Sequence, residues 1–391
     1  MPNKANKIII VGGGIGGLTC AIALLQAGYE VRVYERAPQL NEVGAGITLW
    51  ENALAVMRSL GVYERLVAVG QLASGGTIGT KAGAVVSQFS LADFEQAGFD
   101  MAMLALHRAD LQRVLYESLP EGTVTMGRAC TGFHQNESGV KAQFADGSDQ
   151  GADLLIGADG IHSVIRKQLL NDGEPRYSGY TAWRGITPDW PERGGVNGEF
   201  WGRGRRFGIV PIGQGQLYFF ATEDSPRGSV IPAGSRKQAL LDRFGDWAFD
   251  IPDIIRRTPE QAILQNDIID RVPTRDWSKG RVTLMGDAAH PTTPNMGQGA
   301  AMAIEDCPIL VRALDTCSNH EQAFAVYEAT RFPRSSMITD TSWRLGSIGQ
   351  WSNPVATTLR NTLFRFIPKS TRISGLARIA DYDASTAALV V

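Results

Sequence analysis

The sequence predicts an α/β fold: a Rossmann-like nucleotide-binding domain in discontinuous pieces, an inserted antiparallel β-sheet domain, and a helical C-terminal tail. Three patterns predict it. A strand–glycine turn–helix–strand pattern opens the chain, strand-like runs rich in aromatic residues occupy residues 177–264, and strand and helix patterns alternate again after residue 281. A chain of 391 residues, 43% of them hydrophobic, is long enough for two domains with buried cores.

Composition excludes several classes of protein. Lys and Arg number 38 and Asp and Glu number 40, for a formal net charge of −2, whereas a dedicated nucleic-acid binder usually presents a basic face. The 4 cysteines are far apart and form no CxxC pair, which argues against a disulfide framework or a structural zinc site and fits a reducing cytoplasm. We therefore expect a cytoplasmic protein with no bound metal and no nucleic-acid partner.

The first element is a βαβ unit. Residues 7–11 (KIIIV) predict a buried parallel strand, residues 16–27 a helix ended by Gly28, and residues 30–35 (EVRVYE) a second strand. The apolar run over residues 8–27 has the hydropathy of a signal peptide, but its glycines stand where the turn between strand and helix is needed. We therefore assign this run to the fold.

The turn of this unit, GGGIGG, fits the dinucleotide-binding pattern GxGxxG. Gly12 permits the tight turn, Gly14 lets the backbone approach a pyrophosphate, and Gly17 lets the helix pack close to the strand. The helix N-terminus favours phosphate, and Glu35 ends the second strand, where an acid hydrogen-bonds a ribose hydroxyl. A purely structural glycine turn is the alternative, and the motif alone does not distinguish NAD from FAD.

Two later strand–turn–helix motifs favour FAD. In DLLIGADGIHSVIR (residues 153–166), Asp159 follows a strand and either faces a cofactor or caps the next helix. In GRVTLMGDAAHPTTPNMGQGAAMAIED (residues 280–306), Asp287 follows another strand, where a carboxylate can accept hydrogen bonds from polyol hydroxyls such as those of a ribityl chain. Residues 294–299 then open a helix whose N–H groups hold negative charge on a flavin ring. Three nucleotide-type turns in one chain make ordinary turns the weaker interpretation.

The rest of the chain alternates between segments with a strand pattern and segments with a helix pattern. Strands are predicted at 140–144, 154–156 and 281–285, and helices at 111–118, 235–244 and 298–314. We expect the FAD-binding domain to comprise residues 1–75, 106–176 and 275–340. The substrate domain is expected to comprise residues 76–105 and 177–274, and a helical C-terminal region residues 341–391.

With these motifs, the sequence resembles the single-component (class A) FAD-dependent aromatic hydroxylases of the para-hydroxybenzoate and salicylate hydroxylase type, and also the FAD-dependent urate hydroxylases. The resemblance covers residues 7–331. It is carried by the GGGIGG turn with Glu35, the two later motifs, and HRADL at residues 107–111. It implies noncovalent FAD, NADH or NADPH as the reductant, and no separate nicotinamide domain, which agrees with the single GxGxxG.

The resemblance also implies roles at the FAD site. Asp287 holds the ribityl chain, residues 297–300 line the isoalloxazine ring, Arg108 and Gln112 contact the cofactor, and Asp159 is tied to both FAD and NAD(P)H handling. The full set of positions that we expect to bind FAD is Gly12, Gly14, Ile15, Gly16, Gly17, Glu35, Arg36, Thr48, Arg108, Gln112, Asp159, Asp287, Pro294, Gly297, Gln298, Gly299 and Ala300.

The reaction that the resemblance implies is the hydroxylation of an aromatic or heteroaromatic small molecule. NAD(P)H reduces FAD, reduced FAD and O₂ give a C4a-hydroperoxide, and one oxygen passes to an electron-rich ring while the other leaves as water. Three alternatives stay open. They are an epoxidase or natural-product tailoring monooxygenase on the same scaffold, a flavin dehydrogenase or reductase without oxygen insertion, and a flavoprotein that binds FAD as a structural or regulatory ligand.

Arg206 and Tyr218 are the expected catalytic residues. They match an Arg and a Tyr at this spacing in urate hydroxylases, and both pair well with a carboxylate, phenolate or imide oxygen. Arg184 departs from the urate hydroxylase pattern and weakens a urate assignment. Arg206 as a surface cation is the alternative at that position, and sheet core is favoured for Trp183 and Phe220. The candidates for substrate contact are Trp183, Arg184, Arg206, Phe207, Tyr218 and Phe220.

The C-terminal tail alternates apolar and basic residues over 360–378. A basic amphipathic helix can lie on a membrane, which would suit an apolar substrate. Pro368 interrupts the run, so we expect a packing or oligomer contact instead. The expected partners are a small aromatic substrate and O₂, in a monomer or homodimer without membrane association.

Overall fold

The structure is a computed structural model that describes residues 6–40, 45–191 and 197–390, so residues 1–5, 41–44, 192–196 and 391 of the predicted domain segments lie outside the described part. The strands are β1 (Lys7–Val11), β2 (Glu30–Tyr34), β3 (Gly46–Trp50), β4 (Gln71–Leu72), β5 (Gly75–Thr80), β6 (Val85–Ser90), β7 (Met103–His107), β8 (Val124–Thr125), β9 (Cys130–Asn136), β10 (Gly139–Phe144), β11 (Asp149–Ala152), β12 (Leu154–Gly157), β13 (Arg176–Thr187), β14 (Gly198–Trp201), β15 (Arg205–Gly213), β16 (Gln216–Asp224), β17 (Leu264–Asp270), β18 (Ser278–Lys279) and β19 (Val282–Leu284). The helices are α1 (Ile15–Gln26), α2 (Glu51–Ser59), α3 (Tyr63–Val67), α4 (Leu91–Gln96), α5 (Arg108–Glu117), α6 (Val164–Leu170), α7 (Arg236–Phe244), α8 (Ile251–Arg257), α9 (Gly299–Thr316), α10 (His320–Gly349), α11 (Pro354–Phe366) and α12 (Lys369–Ala380).

The nucleotide-binding part is built on a mainly parallel sheet with the strand order β18-β19-β12-β1-β2-β8. β1 pairs in parallel with β2 and β12, β12 pairs in parallel with β19, and the short edge strand β18 is antiparallel. Residues 8–10 of β1 are fully buried, as a parallel strand covered on both faces requires. The predicted Rossmann-like class is therefore confirmed.

The predicted elements of this part are present within one to three residues. α1 begins one residue before its predicted start, and Gly28 follows it with φ +87°, a conformation that glycine adopts readily at a helix end. The strands predicted at 140–144, 154–156 and 281–285 are β10, β12 and β19, and the helices predicted at 111–118 and 298–314 are α5 and α9.

The inserted sheet has the strand order β17-β13-β16-β15-β14-β5-β6. Its pairs are antiparallel except for β14 with β5, which are parallel. Aromatic and aliphatic side chains of one sheet face form a core with α7 and α8, whose members include Trp183, Phe207, Phe219, Phe244 and Ile254. The predicted antiparallel insertion is confirmed, and its other face is free to line a cavity.

Four of the five predicted domain boundaries fall inside a strand or helix, and one falls in a connection. Those after residues 75, 105, 176 and 340 fall inside β5, β7, β13 and α10, whereas the one after residue 274 falls between β17 and β18. β3, β7 and β4 form a small sheet of their own, as do β11, β10 and β9. The division of the chain into domains stays a prediction.

The C-terminal tail is helical, as expected, and Pro368 separates two helices. Pro368 is the N-cap residue of α12, which buries Ile373 and Ala377 against Phe94 and Met101. α11 lies before the proline and packs differently, with most of its surface open. Within the described residues, each helix is too short or too polar to cross a lipid bilayer.

Candidate active site

Three motifs meet at one edge of the parallel sheet. Val11 pairs with both Tyr34 and Gly157, and Gly157 pairs with Leu284, so the carboxyl ends of β1, β2, β12 and β19 are level. The chain leaves these strands at Gly12, Ala158 and Met285. Because parallel strands end at a common edge, three segments that are distant in sequence form one cleft.

The glycine turn is packed as tightly as its motif suggests. Gly12 has φ +112°, and a Cβ atom there would lie 2.3 Å from the carbonyl oxygen of Ala158. A Cβ atom at Gly17 would lie 2.0 Å from the carbonyl oxygen of Gly12. Gly14 differs, since no described atom lies within 4 Å of its Cβ position. The turn therefore presents open backbone at Gly14, beside the N-terminus of α1, where a pyrophosphate fits.

Glu35 lies directly under this turn. Its Oε2 accepts a hydrogen bond from the Gly13 N–H at 2.7 Å, and its Oε1 accepts one from the Ala37 N–H at 2.8 Å. A carboxylate has about four acceptor positions, so Glu35 keeps capacity for a ribose hydroxyl. Gln112 donates from Nε2 to the Gly13 carbonyl at 2.7 Å, which holds the turn from the other side.

Asp159 has two different carboxylate oxygens. Oδ2 accepts a hydrogen bond from the Val164 N–H at 2.8 Å, so the residue does cap α6. Oδ1 is buried without a hydrogen-bond partner among the described residues, and burial raises the pKa of Asp159. An orphaned buried oxygen is costly, and a ligand donor beside the glycine turn would satisfy it. Both interpretations of Asp159 are therefore compatible with its geometry.

Asp287 and the start of α9 form the third side of the cleft. Asp287 lies in a short 3₁₀ turn after β19, and its side chain is accessible from the cleft although it lies deep within the protein. Desolvation raises the pKa of Asp287, and the electrostatic influence of His290 and Arg108 offsets part of this. Gly297 has φ +63° just before α9, whose first N–H groups face the same space. A polyol and a ring that gains negative charge both match these groups.

The cleft opens into a cavity of ≈ 590 Å³. Predicted positions in its wall are Gly14, Ile15, Gly16, Thr48, Arg108, Asp287, Pro294, Gly297, Gly299, Ala300, Arg206 and Tyr218. Predicted FAD positions outside that wall are Gly12, Gly17, Glu35, Arg36, Gln112, Asp159 and Gln298. Arg36 is exposed after β2, and the buried Gln298 side chain accepts a hydrogen bond from Asn52 at 2.8 Å. The residues fit FAD as a set, and the individual contacts stay predictions.

The inserted sheet supplies the opposite wall of the cavity. Side chains alternate between its two faces, so neighbouring candidates have different surroundings. Trp183 and Phe207 point into the core with α7 and α8. The residues of this sheet that line the cavity are Ala182, Arg184, Glu199, Arg206, Val210, Tyr218, Phe220, Thr222, Leu264 and Asn266. The preference for sheet core was therefore wrong at Phe220, because Phe220 shares the face of Tyr218 rather than that of Phe219.

Arg206 is not the surface cation that the alternative interpretation proposed. It is 4% exposed. Its guanidinium donates to Glu199 Oε1 at 3.0 Å, to Asn295 Oδ1 at 2.8 Å and to Gln350 Oε1 at 2.8 Å. Glu199 balances its charge, and the two amides fix its plane. These bonds use three of its five N–H donors, and Arg206 is part of the cavity wall.

Tyr218 and Arg184 form the second polar group of this wall. The pKa of Tyr218 is raised by burial, and the neighbouring Arg184 guanidinium offsets part of that effect. The Tyr218 ring lies on the backbone of β3, because a Cβ atom at Gly46 would be 2.4 Å from its Cγ. Tyr218 is therefore a neutral hydrogen-bonding group at neutral pH, in a position set by packing.

A buried ion-pair network supports the third motif from below. Asp306 accepts hydrogen bonds from the Gly286 N–H at 2.8 Å, from Arg331 Nε at 2.7 Å, and pairs with His290 Nε2 at 2.8 Å. Glu305 pairs with Arg331 at 2.8 Å and with Arg334 at 2.7 Å. His290 is thus engaged with Asp306 beneath the site. Sequence reasoning missed the roles of Arg331 and Arg334.

Two further contacts were also missed. Arg166, the last residue of the second motif, donates to the carbonyls of Ala288 and Ala289 at 2.9 and 2.7 Å and so joins the second motif to the third. Asn295 and Gln350 hold Arg206. Asn295 and Arg166 stand inside the quoted motifs, where a polar residue near a strand end was a usable signal. Gln350 follows a 30-residue helix and carries no such signal.

The sequence matches the family described as "FAD binding domain" over residues 5–191 and 261–342. The gap in that match, residues 192–260, falls within the inserted sheet and its helices α7 and α8.

The chain is also similar to characterised proteins. It is 43% identical over 373 residues to aurachin C monooxygenase/isomerase of Stigmatella aurantiaca, covering 95% of this chain and 96% of that protein. It is 32% identical over 374 residues to 2-heptyl-3-hydroxy-4(1H)-quinolone synthase of Pseudomonas aeruginosa strain UCBPP-PA14, covering 93% and 95%. The crystal structure of Klebsiella pneumoniae HpxO with FAD and uric acid superposes with a TM-score of 0.88 at 30% identity, covering 96% of each chain.

Proposed function

The chain belongs to the FAD-binding-domain family and is an FAD-dependent monooxygenase that uses NAD(P)H and O₂ on an aromatic or heteroaromatic small molecule; from this premise we propose that its substrate is a fused heteroaromatic ring of the 4-quinolone type with an apolar substituent. We propose further that Tyr218 and Arg184 hold the ring oxygen and that Arg206 contacts the ring from the side. The observation that carries the proposal is the charge and polarity of the cavity wall.

The wall formed by the inserted sheet offers a substrate one positive charge, that of Arg184, without a described carboxylate partner. Arg206 is paired with Glu199, so the pair contributes little net charge. Arg184 lies in the wall beside the neutral Tyr218 phenol and has no carboxylate partner among the described residues. A single cation beside a phenol suits one ring oxygen that becomes more negative during the reaction. A multiply charged substrate would leave part of its charge without a partner.

The rest of the substrate side is apolar. Val210, Phe220 and Leu264 line the cavity together with Ile47 of β3 and Ala45, which precedes that strand. Such a surface accepts a flat ring and an alkyl substituent by burial of apolar area. The name of one relative supports this choice, because it is a quinolone synthase whose named product carries a heptyl chain and a hydroxyl group.

The chain's own residues then have defined tasks. Bound FAD, once reduced by NAD(P)H, supplies the activated oxygen. The carbon that receives this oxygen must be electron-rich, and negative charge on the neighbouring ring oxygen increases its electron density. The Arg184 guanidinium stabilises that charge, and the Tyr218 hydroxyl donates a hydrogen bond to the same oxygen. The apolar wall excludes water from the reacting atoms.

The test measures NAD(P)H oxidation, O₂ uptake and product mass for the purified FAD-loaded protein with 2-heptyl-4(1H)-quinolone, urate and salicylate. We expect the quinolone to stimulate oxidation and to give a product that is one oxygen atom heavier. Stimulation with product from urate or salicylate, and none from the quinolone, would refute the substrate proposal while leaving the monooxygenase assignment in place.

A variant pair tests the role of Arg184. Arg184→Gln removes the charge and is expected to lower kcat about 100-fold, the usual size for loss of one group that stabilises transition-state charge. Arg184→Lys should recover part of this loss. Arg256→Gln is the matched control, because Arg256 is an exposed arginine on α8. An Arg184→Gln enzyme with unchanged kcat would contradict the proposed role.

A further inference from the structure

Helix α11 presents an apolar face to solvent. Val355, Leu359, Leu363 and Phe366 are 76%, 53%, 56% and 78% exposed. Their spacing of four, four and three residues places them on one side of a helix. Trp351, 38% exposed, precedes the helix and extends the set. Single exposed apolar residues are ordinary, whereas a continuous stripe of five large ones marks a contact surface.

The opposite side of α11 is fixed to the protein by polar groups. Arg360 is 1% exposed and donates from Nη1 to the Gly349 carbonyl at 2.8 Å and from Nη2 to the Gly202 carbonyl at 3.2 Å. Phe364 packs edge-on against Trp201 with ring centroids 4.9 Å apart. α11 therefore turns its buried arginine toward the protein and its apolar stripe toward solvent. A surface helix usually has the reverse arrangement.

The charged residues in the sequence around the stripe are all basic. Residues 351–380 contain five basic residues and no Asp or Glu. Lys369 is paired with Asp93 at 2.6 Å, and Arg372 donates to Ser87. Arg365 is exposed on α11, and no described carboxylate pairs with it. The outward surface of α11 is thus apolar, with Arg365 as the exposed cation at its edge that no described carboxylate pairs with.

We propose that this outer face of α11 lies on the surface of an anionic phospholipid bilayer. Apolar side chains that enter the boundary between headgroups and acyl chains, combined with cations that meet lipid phosphates, are what such a surface selects. A second copy of the chain is the less suitable occupant. In a two-fold contact between copies the same surface meets itself, so the α11 region of one copy offers Arg365 of the other no acidic residue within residues 351–380.

The proposal revises the expectation drawn from Pro368. The proline does end the amphipathic run, but it divides the run into two helices with different surroundings. α12 turns its apolar residues inward, while α11 keeps them outward. With 13 residues, α11 is about 20 Å long, which suits a helix that lies in the interface rather than one that spans the bilayer.

The proposed membrane face is connected to the cavity by two contacts. Arg360 of α11 holds Gly349, and the next residue, Gln350, accepts the hydrogen bond from Arg206 in the cavity wall. A membrane face so close to the cavity would suit an apolar substrate that partitions into lipid. The lipid contact itself does not depend on which substrate the enzyme uses, so the two proposals fail separately.

The experiment is co-sedimentation of the full-length FAD-loaded protein with vesicles. One vesicle contains phosphatidylglycerol and phosphatidylcholine, and the other contains phosphatidylcholine alone. We expect binding to the anionic vesicles that weakens at high salt. The double substitution Leu363→Glu with Phe366→Glu should weaken it about tenfold or more, since it removes two side chains that would be buried in lipid. Val230→Glu with Val272→Glu is the control, because both valines are exposed elsewhere, at 73% and 62%.

Retained FAD absorbance and an unchanged melting temperature show that each variant is folded. Equal binding of the stripe variant and the control variant would overturn the proposal, as would absence of wild-type binding to the anionic vesicles. Sedimentation equilibrium tests the alternative that the stripe is a contact between two copies of the chain. If the wild type is a dimer that Leu363→Glu with Phe366→Glu converts to a monomer, the stripe is a contact between copies and the bilayer proposal is wrong.

Discussion

Arg206 donates a hydrogen bond from Nη2 to Oδ1 of Asn295 at 2.8 Å, and this bond joins the inserted sheet to the loop that precedes α9. The loop borders the predicted flavin-ring position, while Arg206 stands in the substrate wall. Asn295 also accepts from the Tyr180 hydroxyl at 3.1 Å and donates to the Ser342 carbonyl at 2.9 Å. One amide therefore sets the distance between the two sides of the cavity.

Replacement of Asn295 by alanine should loosen this connection. The substitution leaves Arg206 and the Ser342 carbonyl each short of a partner, which costs on the order of 1–3 kcal/mol. We expect a lower free energy of unfolding in urea and less product per NAD(P)H consumed, because the ring and the reacting oxygen are less well aligned. Tyr180→Phe removes a single bond to Asn295 and serves as the control. Unchanged coupling in Asn295→Ala would show that the bond only supports the fold.

Asp287→Ala should weaken FAD retention. The Asp287 carboxylate is accessible from the cleft, and it is the acceptor that we expect the ribityl hydroxyls to use. Loss of hydrogen bonds to a charged group costs about 1.5–3 kcal/mol, or roughly a 10- to 100-fold increase in the Kd of FAD. Fluorescence titration of the apoprotein with FAD measures this Kd. The Kd of Asp287→Asn for FAD should lie between those of the wild type and Asp287→Ala. Asp253→Ala, on the exposed side of α8, should bind FAD like the wild type. A fully yellow Asp287→Ala protein after dialysis would refute the assignment.

The architecture could be predicted because its signals are local. β1 has its predicted bounds, and the level strand ends of a parallel sheet follow from the three turn motifs alone. The partners of Arg206 could not be predicted, because Asn295 and Gln350 are 89 and 144 residues away along the chain. Only the packed fold brings them together.

Side-chain direction was the other limit. Phe219, in the core, and Phe220, in the cavity wall, are consecutive residues, and a strand buried on both faces shows no polar alternation that would tell them apart. The tail shows the same limit in a helix. Its basic and apolar pattern indicated an amphipathic segment, but the pattern does not say which side faces the protein, and α11 buries Arg360 instead of its leucines.

Gly208→Ala should damage the cavity wall without touching a polar group. A Cβ atom at Gly208 would lie 2.0 Å from a carbon of the Phe220 ring, so the ring or the strand must move. Overpacking of this kind costs about 1–3 kcal/mol. We expect a lower melting temperature and a raised KM for the aromatic substrate. Gly151→Ala is the matched control, since Gly151 is also in a strand but no described atom lies within 4 Å of its Cβ position. Equal behaviour of the two variants would contradict the predicted clash.

Asp306 should contribute stability that depends on pH. Burial alone would raise its pKa, but His290 and Arg331 outweigh burial and lower the pKa to about 2. A carboxylate whose native pKa lies below its unfolded value of about 3.9 stabilises the fold above that value and loses this effect as pH falls toward 2. A shift of this size corresponds to roughly 2–3 kcal/mol at neutral pH.

Asp306→Asn tests whether the Asp306 carboxylate stabilises the fold at neutral pH and loses this effect as pH falls. The variant leaves Arg331 buried with one carboxylate fewer, so we expect about 3–5 kcal/mol of destabilisation at pH 7 in urea unfolding. The gap to the wild type should narrow as pH falls from about 4 toward 2, because the wild-type carboxyl becomes neutral there. Asp110→Asn, in a surface pair with Arg113, should change stability by less than about 1 kcal/mol. A gap that stays constant down to pH 2 would mean that Asp306 acts through its hydrogen bonds and not through its charge.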